Sequence, residues 1–229
     1  SIGLVGSEMC IRDSLERAGF QELQEKEPWD LEPGGRYYFS RNMSALVAFA
    51  VGRRYQPGDG FVIMGAHTDS PCPKLKPEPA VTKGGFLQVG CQPYGGGIWH
   101  TWFDRDLGVA GRVLVRGPGG SLAQRLLKIE RPILRIPSLA IHLDRNVNTS
   151  NEINFQKHMA PVLALQQGGD GPPDIIQTIA EELGCAAEDI TDFDLQLCDV
   201  QPAALGGSRN EFVNSCLLYT SDAADDRVS

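Results

Sequence analysis

Hydrophobic and polar residues divide the chain into a mixed α/β first part and a β-rich second part. In the first part, a capping serine precedes an apolar spacing that predicts a weak amphipathic helix over residues 14–23. Two β-rich runs, 37–39 and 44–51, predict a hairpin. A turn signal at 57–60 precedes the apolar run 61–64, which predicts a buried strand that leads into a polar loop.

The second part begins near Lys74, where short apolar runs alternate with glycine-rich turns in a pattern typical of a β domain. Alternating strands are predicted over 139–143 and over 193–197. One helix is predicted from 173 to 183, with Gly184 as its stop. The sequence therefore predicts an α/β protein with a large β-rich segment.

Composition and charge exclude two classes of partner. The chain has 229 residues, with 21 Lys and Arg against 29 Asp and Glu, and a net charge of −8. A protein that follows a nucleic-acid backbone needs a cationic excess instead. The longest uncharged apolar stretch, 45–51, is far shorter than the roughly 20 residues of a membrane span. We therefore expect no nucleic-acid partner and no membrane association.

The cysteine pattern indicates a reducing compartment. The six cysteines form no CxxC pair, and their spacing matches neither a zinc knuckle nor a disulfide framework. The N-terminal residues also lack the basic start and apolar run of a signal peptide. Reduced thiols in a cytoplasmic protein are therefore expected. The cysteines are Cys10, Cys72, Cys91, Cys185, Cys198 and Cys216.

Both ends of the chain resemble translated adapter sequence. One nucleotide sequence, read in opposite orientations, can encode MCIRD at 9–13 and CLLYTS at 216–221, and it looks like the transposon-end adapter of sequencing libraries. We therefore exclude residues 1–13 and 214–229 from fold reasoning. The remainder is expected to be an internal fragment of a longer protein.

The cluster His67-Thr68-Asp69 follows the apolar run 61–64 and is the first candidate for chemistry. In an extended chain, residues i and i+2 point the same way, so the imidazole of His67 and the carboxylate of Asp69 share one face. A neutral imidazole is a good zinc ligand, and a nearby carboxylate can orient it. The same pattern also fits a structural histidine at the end of a strand.

The other histidines and acidic residues have two interpretations each. His100 lies between two tryptophans, which fits aromatic packing, and Asp104-Arg105-Asp106 fits an ion-pair network or a ligand cluster. His142 lies on the polar face of its predicted strand and is either a surface residue or part of a site. His158 has no companion and is interpreted as structural. Because no GxGxxG, GxxxxGK[ST] or GxSxG motif is present, neither nucleotide binding nor serine hydrolysis is supported.

Four long motifs in order carry a specific resemblance. They are FVIMGAHTDSPCPKLKP, YGGGIWHTWFDRDLGVAGRV, RPILRIPSLAIHLDRNVN and CDVQPAALGG. Over about residues 14–212 the chain resembles the aspartyl aminopeptidases, a family of cytosolic zinc metallopeptidases. The resemblance implies release of N-terminal Asp or Glu from peptides by a two-zinc site, with a bridging water activated by a glutamate. It also implies dimers that assemble into a hollow tetrahedral dodecamer.

The resemblance implies a domain order as well. A catalytic α/β/α domain would be interrupted by a β-rich dimerisation domain. Residues 14–77 would form the N-terminal part of the catalytic domain, 78–199 the inserted domain, and 200–213 a truncated return to the catalytic domain. The adapter-like segments, 1–13 and 214–229, would flank these three parts.

Three residues receive roles from the resemblance. His67 matches the family's first metal-binding histidine, and Asp69 matches the catalytic-site carboxylate that steers it. His142 falls on a histidine that contacts substrate in the active site of the neighbouring protomer. The resemblance leaves His100 and Asp104 as structural candidates.

The resemblance also implies that the metal site is incomplete. The family's bridging aspartate, general-base glutamate and other ligands follow the LGG…EF stretch, whereas this chain passes from Glu211-Phe212 into adapter-like sequence. One metal ligand of five would be present, and the fragment is expected to be inactive alone. The alternatives are a non-catalytic assembly or binding remnant and a related di-zinc exopeptidase of other specificity.

Overall fold

A computed structural model describes most of the chain between its two terminal segments. Its eleven strands fall into three sheets, of three, two and six strands. The described residues are 11–12, 14–41, 45–65, 71–150, 152–166 and 173–214, with Val213 described by its backbone alone. In these ranges, every helix is too short or too polar to cross a bilayer.

The N-terminal sheet contains the predicted hairpin. Strands β2 (Arg36–Arg41) and β3 (Ala45–Ala50) pair antiparallel, and the short strand β1 (Gln21–Glu22) adds to β2 in parallel. The hairpin is confirmed, although its turn at 42–44 lies outside the described residues. Tyr38 is fully buried, and its hydroxyl donates a hydrogen bond to Glu16 Oε1 at 2.7 Å.

The predicted helix over 14–23 is wrong in its second half. Helical residues end at Arg17, a turn follows, and β1 begins at Gln21. Gly19 has a φ of 80°, a left-handed conformation that a helix does not continue through. The N–H groups of Gly19 and Phe20 bond back to Glu16 and Leu15, which closes the helix there.

The apolar run after the 57–60 turn is exposed, and its predicted burial is wrong. The turn itself is confirmed, because the Asp59 N–H donates to the Gln56 carbonyl at 2.9 Å. Residues 61–64, however, form no strand and are between 82% and 95% exposed. The physical reason is that no strand within the described residues pairs with them or covers their side chains.

The six-stranded sheet is antiparallel and has the order β7-β6-β9-β4-β5-β8. The β-rich prediction for this part is confirmed, but several strands are long rather than short. Gly84 and Gly85, both at positive φ, make the two-residue turn between β4 and β5. The strands are β4 (Cys72–Lys83), β5 (Phe86–Tyr94), β6 (Leu107–Arg116), β7 (Leu122–Leu134), β8 (Val162–Leu165) and β9 (Ile190–Asp199).

One helix packs against this sheet and forms the core with it. The helix, Ile175–Leu183, begins after the capping box of Asp174 and Gln177 and ends at Gly184, which has a φ of 62°. The helix prediction is therefore confirmed, with a start two residues later than predicted. Its buried side chains lie in one cluster with the inward-facing residues of the sheet. These residues are Ile175, Ile179 and Leu183 from the helix, and Val89, Val109, Leu195 and Leu197 from the strands.

Smaller elements complete the described structure. The four-residue helix α1 (Phe155–His158) precedes the longer helix, which is α2. The two-stranded sheet pairs β10 (Ala204–Gly206) with β11 (Phe212–Asn214). Three 3-10 turns lie at Trp99–Trp102, Pro118–Gly120 and Ala187–Asp189.

Candidate functional site

A groove of about 410 Å³ opens between β5, the first 3-10 turn and the segment that follows β7. Apolar side chains such as Phe103 and Ile153 form part of its lining. Five titratable residues also line it: His100, Asp144, Glu152, Lys157 and His158. The groove therefore offers both charged and apolar contacts in one concave surface.

His142 lies in a turn beside this groove, so the predicted strand over 139–143 is wrong. Strand β7 ends at Leu134, and Pro137 has no N–H with which to continue the ladder. The N–H groups of Leu143 and Asp144 both donate to the Ala140 carbonyl, at 2.8 and 3.2 Å. His142 is exposed within this turn, and Leu143 beside it is 76% exposed.

For residues 104–106, the sequence allowed an ion-pair network as one interpretation, and Arg105 and Asp106 do form ion pairs. Arg105 Nη1 lies 2.5 Å from Asp199 Oδ2, and Arg135 Nη1 lies 2.8 Å from Asp106 Oδ1. Asp104 Oδ1 accepts a hydrogen bond from the Ser138 N–H at 3.1 Å. Hydrogen bonds from the Ser138 hydroxyl and N–H hold the pKa of Asp104 below its usual range.

The two remaining histidines of the groove differ in role. The Nδ1 atom of His158 accepts a hydrogen bond from the Asn154 N–H at 3.1 Å, which closes the start of α1 and confirms the structural interpretation. His100 is exposed, and the aromatic packing belongs to its neighbours instead. Trp102 is buried, while Trp99 meets Phe155 edge-on with ring centroids 5.2 Å apart.

The predicted metal residues His67 and Asp69 lie outside the described residues. In the part of the chain that the structure describes, no three His, Cys, Asp or Glu side chains come together as a metal site. A zinc site needs at least three protein ligands. The described residues alone therefore do not fit a zinc ion.

Sequence reasoning missed two charged residues of the groove, Glu152 and Lys157. They follow no motif, and they line the groove because turns and α1 fold the chain back toward β5. The contact between Asp104 and Ser138 spans 34 residues and is likewise without a local signal.

Comparison with known proteins decides the family. The sequence profile described as "Aminopeptidase I zinc metalloprotease (M18)" matches residues 8–224. The chain belongs to the M18 family. The M18 match extends into both terminal segments and includes all of the described residues.

Curated M18 relatives are similar over most of this chain. A probable aspartyl aminopeptidase of Ricinus communis is 46% identical over 249 residues, which cover 90% of this chain and 51% of the relative. The aspartyl aminopeptidase of Dictyostelium discoideum is 45% identical over 231 residues, covering 88% of this chain and 48% of the relative. The chain thus spans about half the length of the curated relatives it matches.

Solved M18 structures have the same fold over this region. The structure of Chaetomium thermophilum mApe1 aligns with a TM-score of 0.79 and 34% identity, covering 93% of this chain and 51% of that chain. The S. cerevisiae mApe1 dodecamer aligns with a TM-score of 0.68 and 26% identity, covering 90% of this chain and 47% of that chain.

Proposed function

We propose that the complete protein is a zinc aminopeptidase that releases N-terminal Asp or Glu from peptides. The observation that carries the proposal is the continuous M18 match over residues 8–224, together with relatives named aspartyl aminopeptidases at 45–46% identity. Since the chain spans about half of those relatives, the activity is proposed for the whole protein. The choice of acidic N-terminal residues rests on the relatives' names alone.

His67 is proposed as a metal ligand and Asp69 as the carboxylate that orients it. Support comes from their place in the HTDSP motif, where the imidazole precedes the carboxylate by two residues. The resemblance supplies the number of zinc ions, two per active site. The described residues bring no three such ligands together, so we propose that most of the site comes from the remainder of the complete protein.

The six-stranded sheet with α2 is proposed as the dimerisation domain inserted into an α/β/α catalytic domain. Strand β4 begins at Cys72 and β9 ends at Asp199, and these two strands pair antiparallel with Lys74 opposite Gln196. The chain therefore enters and leaves the sheet at neighbouring positions. Adjacent termini are what an inserted domain requires. This supports an insertion close to the predicted 78–199.

Self-association is proposed to complete the site, with dimers that build a dodecamer. The dodecamer of S. cerevisiae mApe1 supports this assembly by similarity. His142 would act in trans, reaching substrate in the neighbouring protomer. Its exposure at the tip of a closed turn, with the apolar Leu139 and Leu143 also exposed, supports a contact with another copy.

A cytoplasmic location is part of the proposal. Cys91, Cys185 and Cys198 are free thiols in the described structure. Free cysteines are typical of a reducing compartment.

Zinc content and turnover of an aspartyl-anilide substrate by the complete protein test the metal assignment. The His67→Ala variant should lose activity and metal at one site, because one ligand is removed. Exposed His100→Ala is the matched control and should keep its zinc. Two zinc ions per chain in His67→Ala, measured by elemental analysis, would show that the ligand is misassigned.

Hybrid dimers test the trans role. In the complete protein His142→Phe should lower kcat while zinc content and oligomer size stay unchanged. Mixing it with inactive His67→Ala should restore part of the activity, because one hybrid site has both intact residues. Absence of rescue while subunits demonstrably exchange would contradict the trans role.

A further inference from the structure

The turn that carries His142 is attached to the sheet through Asp104. Asp104 has a φ of 57°, a left-handed conformation that aspartate and asparagine adopt more readily than most residues. Its N–H donates to the Ile136 carbonyl at 2.9 Å, and its Oδ1 accepts from the Ser138 N–H at 3.1 Å. One residue thus bonds to the chain on both sides of Pro137.

The residues on both sides of Asp104 connect it to the six-stranded sheet. Phe103 forms a parallel bridge with Ile136, and Asp106 pairs with Arg135 at 2.8 Å. On the other side, Arg105 reaches Asp199 at the end of the central strand β9, where the Asp199 side chain is 3% exposed. The residues on both sides of Asp104 are therefore held by contacts with β9 and with the two residues directly after β7.

Only a short stretch separates His142 from Ser138, the residue that Asp104 holds and that we call the anchor of the turn. Four residues from Ser138 to His142 span at most roughly 14 Å of extended chain, and the turn shortens that reach. The fixed φ of Pro137 removes freedom before the anchor. After it, Leu143 and Asp144 bond back to Ala140, so the turn is closed on itself. The orientation of the turn therefore depends on how firmly Ser138 is held.

We propose, on the basis of the trans role of His142 above, that Asp104 is a positioning residue. Its carboxylate holds Ser138 and thereby sets where the turn of residues 140–144 presents His142. Loss of this side-chain acceptor releases Ser138, so the hydrogen bonds that close the turn open more often and the turn can swing about Ser138. A group held out toward a neighbouring protomer would then spend less time in the productive geometry.

Two substitutions separate the effect of the side-chain acceptor from that of the left-handed backbone conformation. Asp104→Gly keeps the left-handed φ without strain and removes the acceptor. Asp104→Asn keeps both an acceptor oxygen and tolerance of that φ, so it is the matched control. In Asp104→Gly, we expect amide hydrogen exchange at Ser138 to rise roughly three- to tenfold, with a rise at Leu143 as well. Asp104→Asn should stay close to the parent chain.

Amide exchange of the 229-residue chain tests whether the anchor acts locally. The reference amide is Val113, which is fully buried in β6. Faster exchange at Ser138 and Leu143 with Val113 unchanged supports the proposal. Unchanged exchange at Ser138 and Leu143 overturns it. An equal rise at Val113 also overturns it, because Asp104 would then serve stability in general.

Kinetics of the complete protein test whether the anchor acts through His142. Asp104→Gly should lower kcat by about tenfold with zinc content unchanged, and Asp104→Asn should restore most of the loss. In a His142→Phe background, Asp104→Gly should cause no further loss. A full additional loss overturns the positioning role while the trans role stands. No effect of His142→Phe on kcat overturns the trans role, and the positioning role with it.

Discussion

For single residues of this chain, the sequence predicted the kind of interaction more often than the residue at its other end. Residues 104–106 indicated an ion-pair network, and Arg105 and Asp106 each form an ion pair. Their partners lie far away in sequence, 94 residues for the contact of Arg105 with Asp199. Nothing local in the sequence encodes such a distance. The network was therefore predictable, whereas its role at the base of the His142 turn required the fold.

Asp104 makes stability depend on pH in a defined direction. Its pKa is lowered by the hydrogen bonds from Ser138, so the folded state binds its proton less readily than the unfolded state. The contribution is present above the ordinary aspartate pKa of about 3.9 and is lost as the pH falls through the lowered folded value. The free energies of unfolding of the parent chain and of Asp104→Asn, measured with denaturant, should therefore become equal in acid. A difference between the two free energies that grows as the pH falls would contradict this.

The buried thiols should resist alkylation. Burial raises the pKa of Cys91 to about 12 and that of Cys198 to about 11, so almost no thiolate is present near neutral pH. Mass spectrometry after iodoacetamide treatment should find both residues unmodified in the folded chain and modified in denaturant. The partly buried Cys185 is the internal comparison. Fast labelling of Cys91 in the native chain would contradict this.

At the scale of elements, prediction succeeded where local chemistry decides the structure. The helix α2 has a capping box, an apolar spacing and a glycine stop, all of which are readable in sequence. It failed at 61–64 and at 139–143, where apolar residues suggested strands. A strand needs a partner for its backbone groups, and in the described structure neither segment is paired in a sheet. Pairing is a property of the fold rather than of the segment.

Two isoleucines, one buried and one exposed, test which elements contribute to the stability of the core. Ile179 of α2 is fully buried, whereas Ile141 in the His142 turn is 46% exposed. Ile179→Ala should lower the free energy of unfolding by about 2–5 kcal/mol, because it leaves a cavity between the helix and the sheet. Ile141→Ala should cost less than about 1 kcal/mol. Urea unfolding followed by circular dichroism measures both, and equal costs would contradict the described core.

At the scale of the whole molecule, the described residues form a folded six-stranded sheet but assemble no metal cluster. We expect the 229-residue chain to show no zinc-dependent turnover of an aspartyl-anilide substrate. The reason is that the described residues assemble no metal cluster, and His67 is the sole ligand that the resemblance assigns. Purified chain with added zinc, assayed beside a complete M18 aminopeptidase, provides the measurement. Native-like rates from this chain would contradict the expectation.

The neighbouring ends of β4 and β9 also determine how the sheet responds to force. Because the two strands run antiparallel, Cys72 and Asp199 leave the sheet on the same side. A load that pulls these two points apart acts first on the pair of Lys74 and Gln196, which lies close to both points, as in unzipping rather than shear. We therefore expect the sheet to open at this pair first when its two ends are pulled apart, although Leu195 and Leu197 of β9 are buried in the core.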